Sequence, residues 1–221
     1  VIVGESAVID HAVGKCLTGS FAYSGQVCIH TQRIFVHEEV YPPFLDRFVE
    51  RTRKLVTGNP LDPATEVGPM ISEAEAIRAE EWIRDAVSQG AQPVTGGTRQ
   101  GVMLTPTVIT GAKPGMKVMC DELFAPAVVI HKVPNFETGL RLADDSPYGL
   151  QAGVFTDNVD RALDAIAVLN VGGVMINDIP AFRVDHMPYG GNKGSGLGRE
   201  GARFAIEDMT TLRMVVFNRN R

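Results

Sequence analysis

Cysteine is scarce in this 221-residue chain. Its three cysteines, Cys16, Cys28 and Cys120, are odd in number and never two residues apart, which argues against a disulfide scaffold and a zinc cluster. The same usage predicts a reducing compartment and so a cytoplasmic location. Basic charge is also short: 21 Lys and Arg face 26 Asp and Glu, a net charge of -5. No positive field is available for the phosphates of a nucleic acid. No run approaches the roughly 18 apolar residues of a membrane helix. The five histidines (His11, His30, His37, His131 and His186) lack metal-site spacing, so no metal is expected. Val1-Ile-Val-Gly has neither the basic flank nor the apolar length of a secretory signal. With no initiating methionine, the opening reads as the middle of a domain and predicts an excerpt of a longer polypeptide.

Glycine and proline, at 23 and 13 residues, exceed their usual share and predict many short elements joined by turns. Small apolar residues at helical spacing run from Ser6 to Phe21. Arg33-Ile-Phe-Val-His37 is β-branched and aromatic, a short strand. Phe44, Leu45, Phe48, Val49, Thr52, Leu55 and Val56 recur at three and four, an amphipathic helix that Gly58-Asn-Pro60 stops. Ser72, with Glu75 three residues on, is a capping-box pattern opening another helix that ends by Gly90. Strands are predicted at Leu104 to Ile109, Ala127 to Val133, Ala152 to Phe155 and Gly173 to Asn177. Helices are predicted at Phe136 to Ala143 and Asn158 to Leu169. This alternation implies right-handed crossovers, and hence one α/β domain with a mostly parallel sheet and helices on both faces. A last strand, Met209 to Phe217, follows a glycine-rich stretch and has no helix after it. Such a strand can pair at an edge, including with another chain.

Gly196-Leu-Gly198-Arg-Glu-Gly201 matches the dinucleotide fingerprint, but that motif acts between a strand and a helix, with an acidic residue about 20 positions further on. No strand is predicted before it, and a tight backbone turn is the expected role. Cys28 ends a turn of small residues ahead of a strand. There a thiol can stand exposed at a cleft with backbone N–H groups aimed at an oxyanion; it can equally be a small buried hydrophobe. Cys16 lies within a helical pattern and Cys120 beside Asp121-Glu122, whose charge opposes a second anion. Both are weaker nucleophile candidates.

Phe21-Ala-Tyr-Ser-Gly-Gln-Val-Cys28, with Arg33 five residues later, resembles the cysteine active-site motif of the aldehyde dehydrogenase superfamily. Three further matches follow the family's order. Gly58-Asn59-Pro60 resembles its G-(D/N)-P segment. Glu122-Leu-Phe124-Ala-Pro126 resembles E-x-F-G-P, with Ala125 in place of glycine. Pro188-Tyr-Gly-Gly-Asn-Lys-Gly-Ser-Gly-Leu-Gly-Arg-Glu200 resembles P-F-G-G-x-K-x-S-G-x-G-R-E, with Tyr189 in place of phenylalanine.

The resemblance implies an aldehyde dehydrogenase catalytic domain over residues 1–206 and a C-terminal oligomerisation strand over 207–221, giving a homodimer or homotetramer. Cys28 would be the nucleophile. Glu122 would bind the ribose hydroxyls on the nicotinamide side of NAD or NADP, and Phe124 would pack near the nicotinamide. Arg183, five residues before the glycine-rich motif, would face the aldehyde tunnel with Tyr189 and pair with an anionic group on a small aldehyde substrate; a salt bridge to Asp185 would serve equally well. The family's nucleotide-binding half, its general base and its oxyanion-hole asparagine lie ahead of the region present, so the chain alone is expected to be nearly inactive. Two other readings remain at this stage. One is an acylating relative that transfers to coenzyme A, and the other is a non-catalytic module that dimerises through its terminal strand.

Overall fold

A computed structural model describes residues 1–219. The chain opens with β1 (Ile2–Val3), α1 (Ile9–Phe21), β2 (Arg33–His37) and α2 (Tyr41–Lys54). It continues with α3 (Glu73–Ser88), β3 (Gln92–Thr95), a small hairpin of β4 (Arg99–Gln100) and β5 (Met103–Leu104), and β6 (Thr107–Thr110). Next come α4 (Lys117–Cys120), β7 (Ala127–Val133), α5 (Phe136–Asp144), β8 (Tyr148–Gly149) and β9 (Gln151–Phe155). The last elements are α6 (Val159–Val168), β10 (Gly173–Ile176), β11 (Asn192–Lys193) and α7 (Ala202–Met209).

Seven strands form one sheet in the order β10-β9-β1-β2-β7-β6-β3. Every pair is parallel except β3 with β6. Alternation along the strands divides the core in two, because successive side chains leave opposite faces. Ile34, Val36, Val128 and Ile130 pack on α1 and α2 through Ala12, Val13, Phe44 and Phe48. Phe35, Val129 and Val133 face α3 through Ala76, Ala79 and Ile83. On that same second face Ile2 and Val154 meet Phe136 and Leu140 of α5 and Ala165 of α6. Phe48 is fully buried and stacks on Phe44 at 5.8 Å, a burial worth about 1.5–3 kcal/mol per side chain.

The α/β architecture is as the periodicity predicts, and Arg33–His37 is a strand with those bounds. Ser72 caps α3, its hydroxyl accepting from the Glu75 N–H at 3.2 Å. Four of the differences are informative. β1, two residues long, sits in the middle of the sheet, where a pair so short shows no period. The predicted strand Leu104 to Ile109 breaks into β5 and β6 at Thr105-Pro106, since proline has no N–H for a ladder. Ala202–Met209 is helical, so a helix crosses the 206/207 boundary and Met209 does not begin a strand. Residues 210–219 pair with no strand among the described residues, and Leu212, Met214, Val215, Val216 and Phe217 are exposed. An extended segment needs a neighbouring edge to become a strand, and among the described residues this one lies against neither sheet edge, β10 or β3. Residues 220 and 221 of the predicted 207–221 segment lie outside the described residues.

Candidate active site

The loop from α1 to β2 reverses through three consecutive left-handed residues, Tyr23, Ser24 and Gly25, at φ 52°, 56° and 68°. Such a run is costly for side-chain-bearing residues and persists only when the surroundings hold it. The Ser24 hydroxyl donates to the Gly68 carbonyl at 2.8 Å, and Gln26 Oε1 accepts from the Ile71 N–H at 2.8 Å. Downstream, the Thr31 N–H donates to Gly19 O at 2.9 Å, and the Ser20 hydroxyl donates to Thr31 O at 3.0 Å. His30 turns inward with Nε2 3.0 Å from Ser20 O, and burial lowers its pKa to about 4. It is a structural neutral imidazole. Cys28 rides at the tip of this pinned loop and is exposed. Among the described residues its N–H donates to no protein acceptor. Cys16, by contrast, is fully buried in α1 and its thiol is pushed up to about 12 by that burial. It is inert as a nucleophile.

Cys28 lines a cleft of about 340 Å³ together with Gln32, Glu122, Gln151, Gly194 and Ser195. Glu122 stands exposed in this cleft with no hydrogen-bond or ion partner among the described residues. The cleft opens at the amino ends of the parallel strands, where β2 and β9 begin. Open α/β sheets commonly bind ligands at the carboxyl ends. Here α1 carries the chain back across the sheet, so its loop delivers Cys28 to the opposite edge. Gln32 joins the two motifs that form the walls. Its Nε2 donates to Val118 O at 2.9 Å and Asp121 O at 2.8 Å, while its Oε1 accepts from the Leu123 N–H at 2.8 Å. No periodicity marks Gln32, and only its position four residues after Cys28 could have drawn notice.

The glycine-rich stretch returns from far along the chain. An antiparallel bridge joins Tyr189 and Glu200, with N–H to carbonyl distances of 3.1 and 2.6 Å. The bridge carries the Tyr189 hydroxyl to 3.0 Å from Cys28 Sγ. Gly196, Gly198 and Gly201 all have positive φ, which fits the turn reading. Although the two-residue β11 precedes them and α7 follows, β11 pairs antiparallel with β8, outside any βαβ unit. Arg183 lies over the Tyr189 ring, its guanidinium carbon 4.4 Å from the centroid. Its acidic partner is Glu200, at 3.5 Å, and not Asp185. Phe124 is partly buried at φ 54° but does not line the cleft. Arg33 donates to Ala143 O at 3.2 Å and ties β2 to α5. The structure thus gathers Cys28, Tyr189 and Glu122, with Arg183 behind the tyrosine and Phe124 outside.

The profile of the aldehyde dehydrogenase family matches residues 1–215. The chain belongs to the aldehyde dehydrogenase family. It is 46% identical over 217 residues to a 3-sulfolactaldehyde dehydrogenase of Priestia aryabhattai, covering 98% of this chain and 46% of that protein. A lactaldehyde dehydrogenase of Methanococcus aeolicus is 39% identical over 218 residues, covering 99% of this chain and 47% of its own length. Among solved structures, aldehyde dehydrogenase 21 of Physcomitrella patens, in complex with the reaction product succinate, superposes with a TM-score of 0.92 at 40% identity. That superposition covers 94% of this chain and 44% of the other. Glyceraldehyde-3-phosphate dehydrogenase GapN of Methanocaldococcus jannaschii, complexed with NADP, gives 0.91 at 38% identity, over 94% of this chain and 45% of the other. The chain spans about half the length of the relatives it matches. In this aldehyde dehydrogenase domain the alanine at position 125 is fully buried and its carbonyl presses against Gly25, so the departure from the family's glycine is absorbed in the core. No helix is long and apolar enough to cross a membrane among the described residues, and no group of metal-binding side chains is found there.

Proposed function

We propose that this chain is the catalytic domain of an NAD(P)-dependent aldehyde dehydrogenase that oxidises a small anionic aldehyde to its acid, with Cys28 as nucleophile. One observation carries the reading: Cys28 is exposed at a pinned loop tip, in the same cleft as the unpartnered carboxylate of Glu122. The Cys28 thiolate bonds to the aldehyde carbon, and the oxyanion of the thiohemiacetal takes a hydrogen bond from the free Cys28 N–H, an interaction whose loss costs about 3 kcal/mol. A nicotinamide dinucleotide, when bound, supplies the acceptor for the hydride that the thiohemiacetal sheds. Glu122 fits its ribose hydroxyls, since an unpaired carboxylate accepts two hydrogen bonds from a diol. Phe124, outside the cleft wall, would flank the nicotinamide. The thioester left on Cys28 then goes to water under general-base assistance. That base and the nucleotide scaffold belong to the part of the family's length this chain does not span, so the chain alone has negligible dehydrogenase activity. We place the enzyme in the cytoplasm, and infer that copies assemble through the exposed extended segment that follows α7, residues 210–219.

Alkylation tests the nucleophile directly. Cys28 should react with iodoacetamide faster than Cys120 and far faster than buried Cys16, as mapped by mass spectrometry. Equal rates at Cys28 and Cys120 would refute a preorganised site.

Arg183 supports the anionic substrate class. Its guanidinium is about half exposed, and its Glu200 contact is long, at 3.5 Å. A carboxylate, sulfonate or phosphate on the aldehyde can displace that partner through a bidentate pair. Arg183→Leu in the complete enzyme is expected to raise KM for anionic aldehydes roughly tenfold or more, leaving neutral aldehydes nearly unchanged. An equal effect on both classes argues that Arg183 serves only Glu200.

A further inference from the structure

We propose that Tyr189 is a positioning residue that holds the Cys28 sulfur through its phenolic hydroxyl. The family pattern that the glycine-rich stretch resembles has phenylalanine at this place, a side chain without the hydroxyl. The inference rests on Cys28 being the nucleophile and adds what orients it.

Three observations fix the tyrosine. Its hydroxyl lies 3.0 Å from Cys28 Sγ, across 161 residues of sequence. Its side chain is buried, with 8% of the residue exposed, and its main chain is clamped on both sides by the Glu200 bridge. Its ring face is covered by Arg183 at 4.4 Å. The neighbouring Gly190 is packed so closely that a Cβ at Gly172 would collide with its carbonyl oxygen, and the loop therefore has no room to withdraw toward Gly172. Burial first, and then the hydrogen bond to Cys28 and its charge, raise the phenol above the ordinary tyrosine value. Near neutral pH the phenol therefore keeps its proton. A protonated phenol donates to a thiolate and thereby favours the ionised sulfur and fixes its direction. Arg183 and Glu200 are the charged groups on the tyrosine side. The titratable groups that line the cleft with Cys28 are Glu122, Asp121, Arg33, Cys120, His30, Tyr148 and the Val1 amino group. Replacing the tyrosine by phenylalanine alters none of them.

The test is the pH–rate profile of Cys28 alkylation by iodoacetamide in the chain and in Tyr189→Phe. The hydroxyl's loss should displace the profile to higher pH, with a rate about tenfold lower near neutrality and convergence at high pH, as expected for a lost charge-assisted hydrogen bond. Coincident profiles, or the same reduction at every pH as a change of access would give, overturn the proposal. Reciprocity supplies a second measurement. In Cys28→Ser, ultraviolet titration should show one of the four tyrosines ionising at lower pH than in the parent. An unchanged titration overturns the proposal even if the phenylalanine variant folds poorly. Rapid alkylation of Cys28 that ignores Tyr189→Phe sinks this inference alone; slow alkylation in the parent sinks the nucleophile with it.

Discussion

Cys28→Ala in the complete enzyme is expected to lower kcat/KM for aldehyde oxidation by roughly 10⁴ to 10⁶, the cost of deleting the nucleophile in a covalent mechanism. Cys16 is sealed in the core with its proton held to about pH 12. Cys120, on the short α4, lines the same cleft, but its thiol contacts the Gly115 carbonyl at 3.9 Å, while the Tyr189 hydroxyl meets Cys28. Cys28 is exposed, but its loss leaves the buried Tyr189 hydroxyl without this partner, so stability should fall by about 1 kcal/mol. Steady-state rates paired with a cofactor-binding titration separate the two effects. Retention of a tenth of the parental activity with cofactor binding intact would show that the chemistry does not pass through this sulfur.

Gly25→Ala should be the most damaging single-methyl change in the site. Gly25 has φ 68°, and a Cβ there would overlap the carbonyl carbon and oxygen of Ala125 and crowd His30 Nε2. The left-handed backbone costs a side-chain-bearing residue about 1–2 kcal/mol, and overpacking adds about 1–3 kcal/mol. Together these amount to about 3 kcal/mol, a fall in Tm of roughly 6–12 °C for a domain of this size. Calorimetry of the chain measures it. The obstacle is backbone, which cannot rotate aside, so relief requires separating the Cys28 loop from the Glu122 segment. Activity of the complete enzyme should fall even where the variant remains folded. A Tm within about 2 °C of the parent would mean that the two motifs are not in register.

The elements legible in the sequence are those with a period or a cap. Arg33–His37 alternates between two covered faces and carries β-branched and aromatic residues. Ser72 and Asn158 each place a side-chain acceptor at a helix start. Ile2–Val3 had no such signature, because two residues complete no period, although the sheet closes around them. Ala202–Met209 has no side-chain cap to announce it, and only its last residue falls within the predicted strand Met209 to Phe217. Of the site, Cys28 and Glu122 were legible through their motifs. Phe124 carries the family signature too, yet its left-handed φ of 54° belongs to a turn that leaves it off the cleft wall.

The sequence alone determined the chemistry available: one thiol in a turn of small residues, an acidic motif, a glycine-rich stretch, and an alternation that forces a parallel sheet. Only the tertiary structure decided which of these meet. Tyr189 and Cys28 are 161 residues apart and Gln32 and Leu123 are 91 apart, and no local rule relates such positions. Their contact is set by which sheet edge each loop reaches. That depends on the order of seven strands and on the backbone approaches that glycine permits, and those are properties of packing over the whole chain.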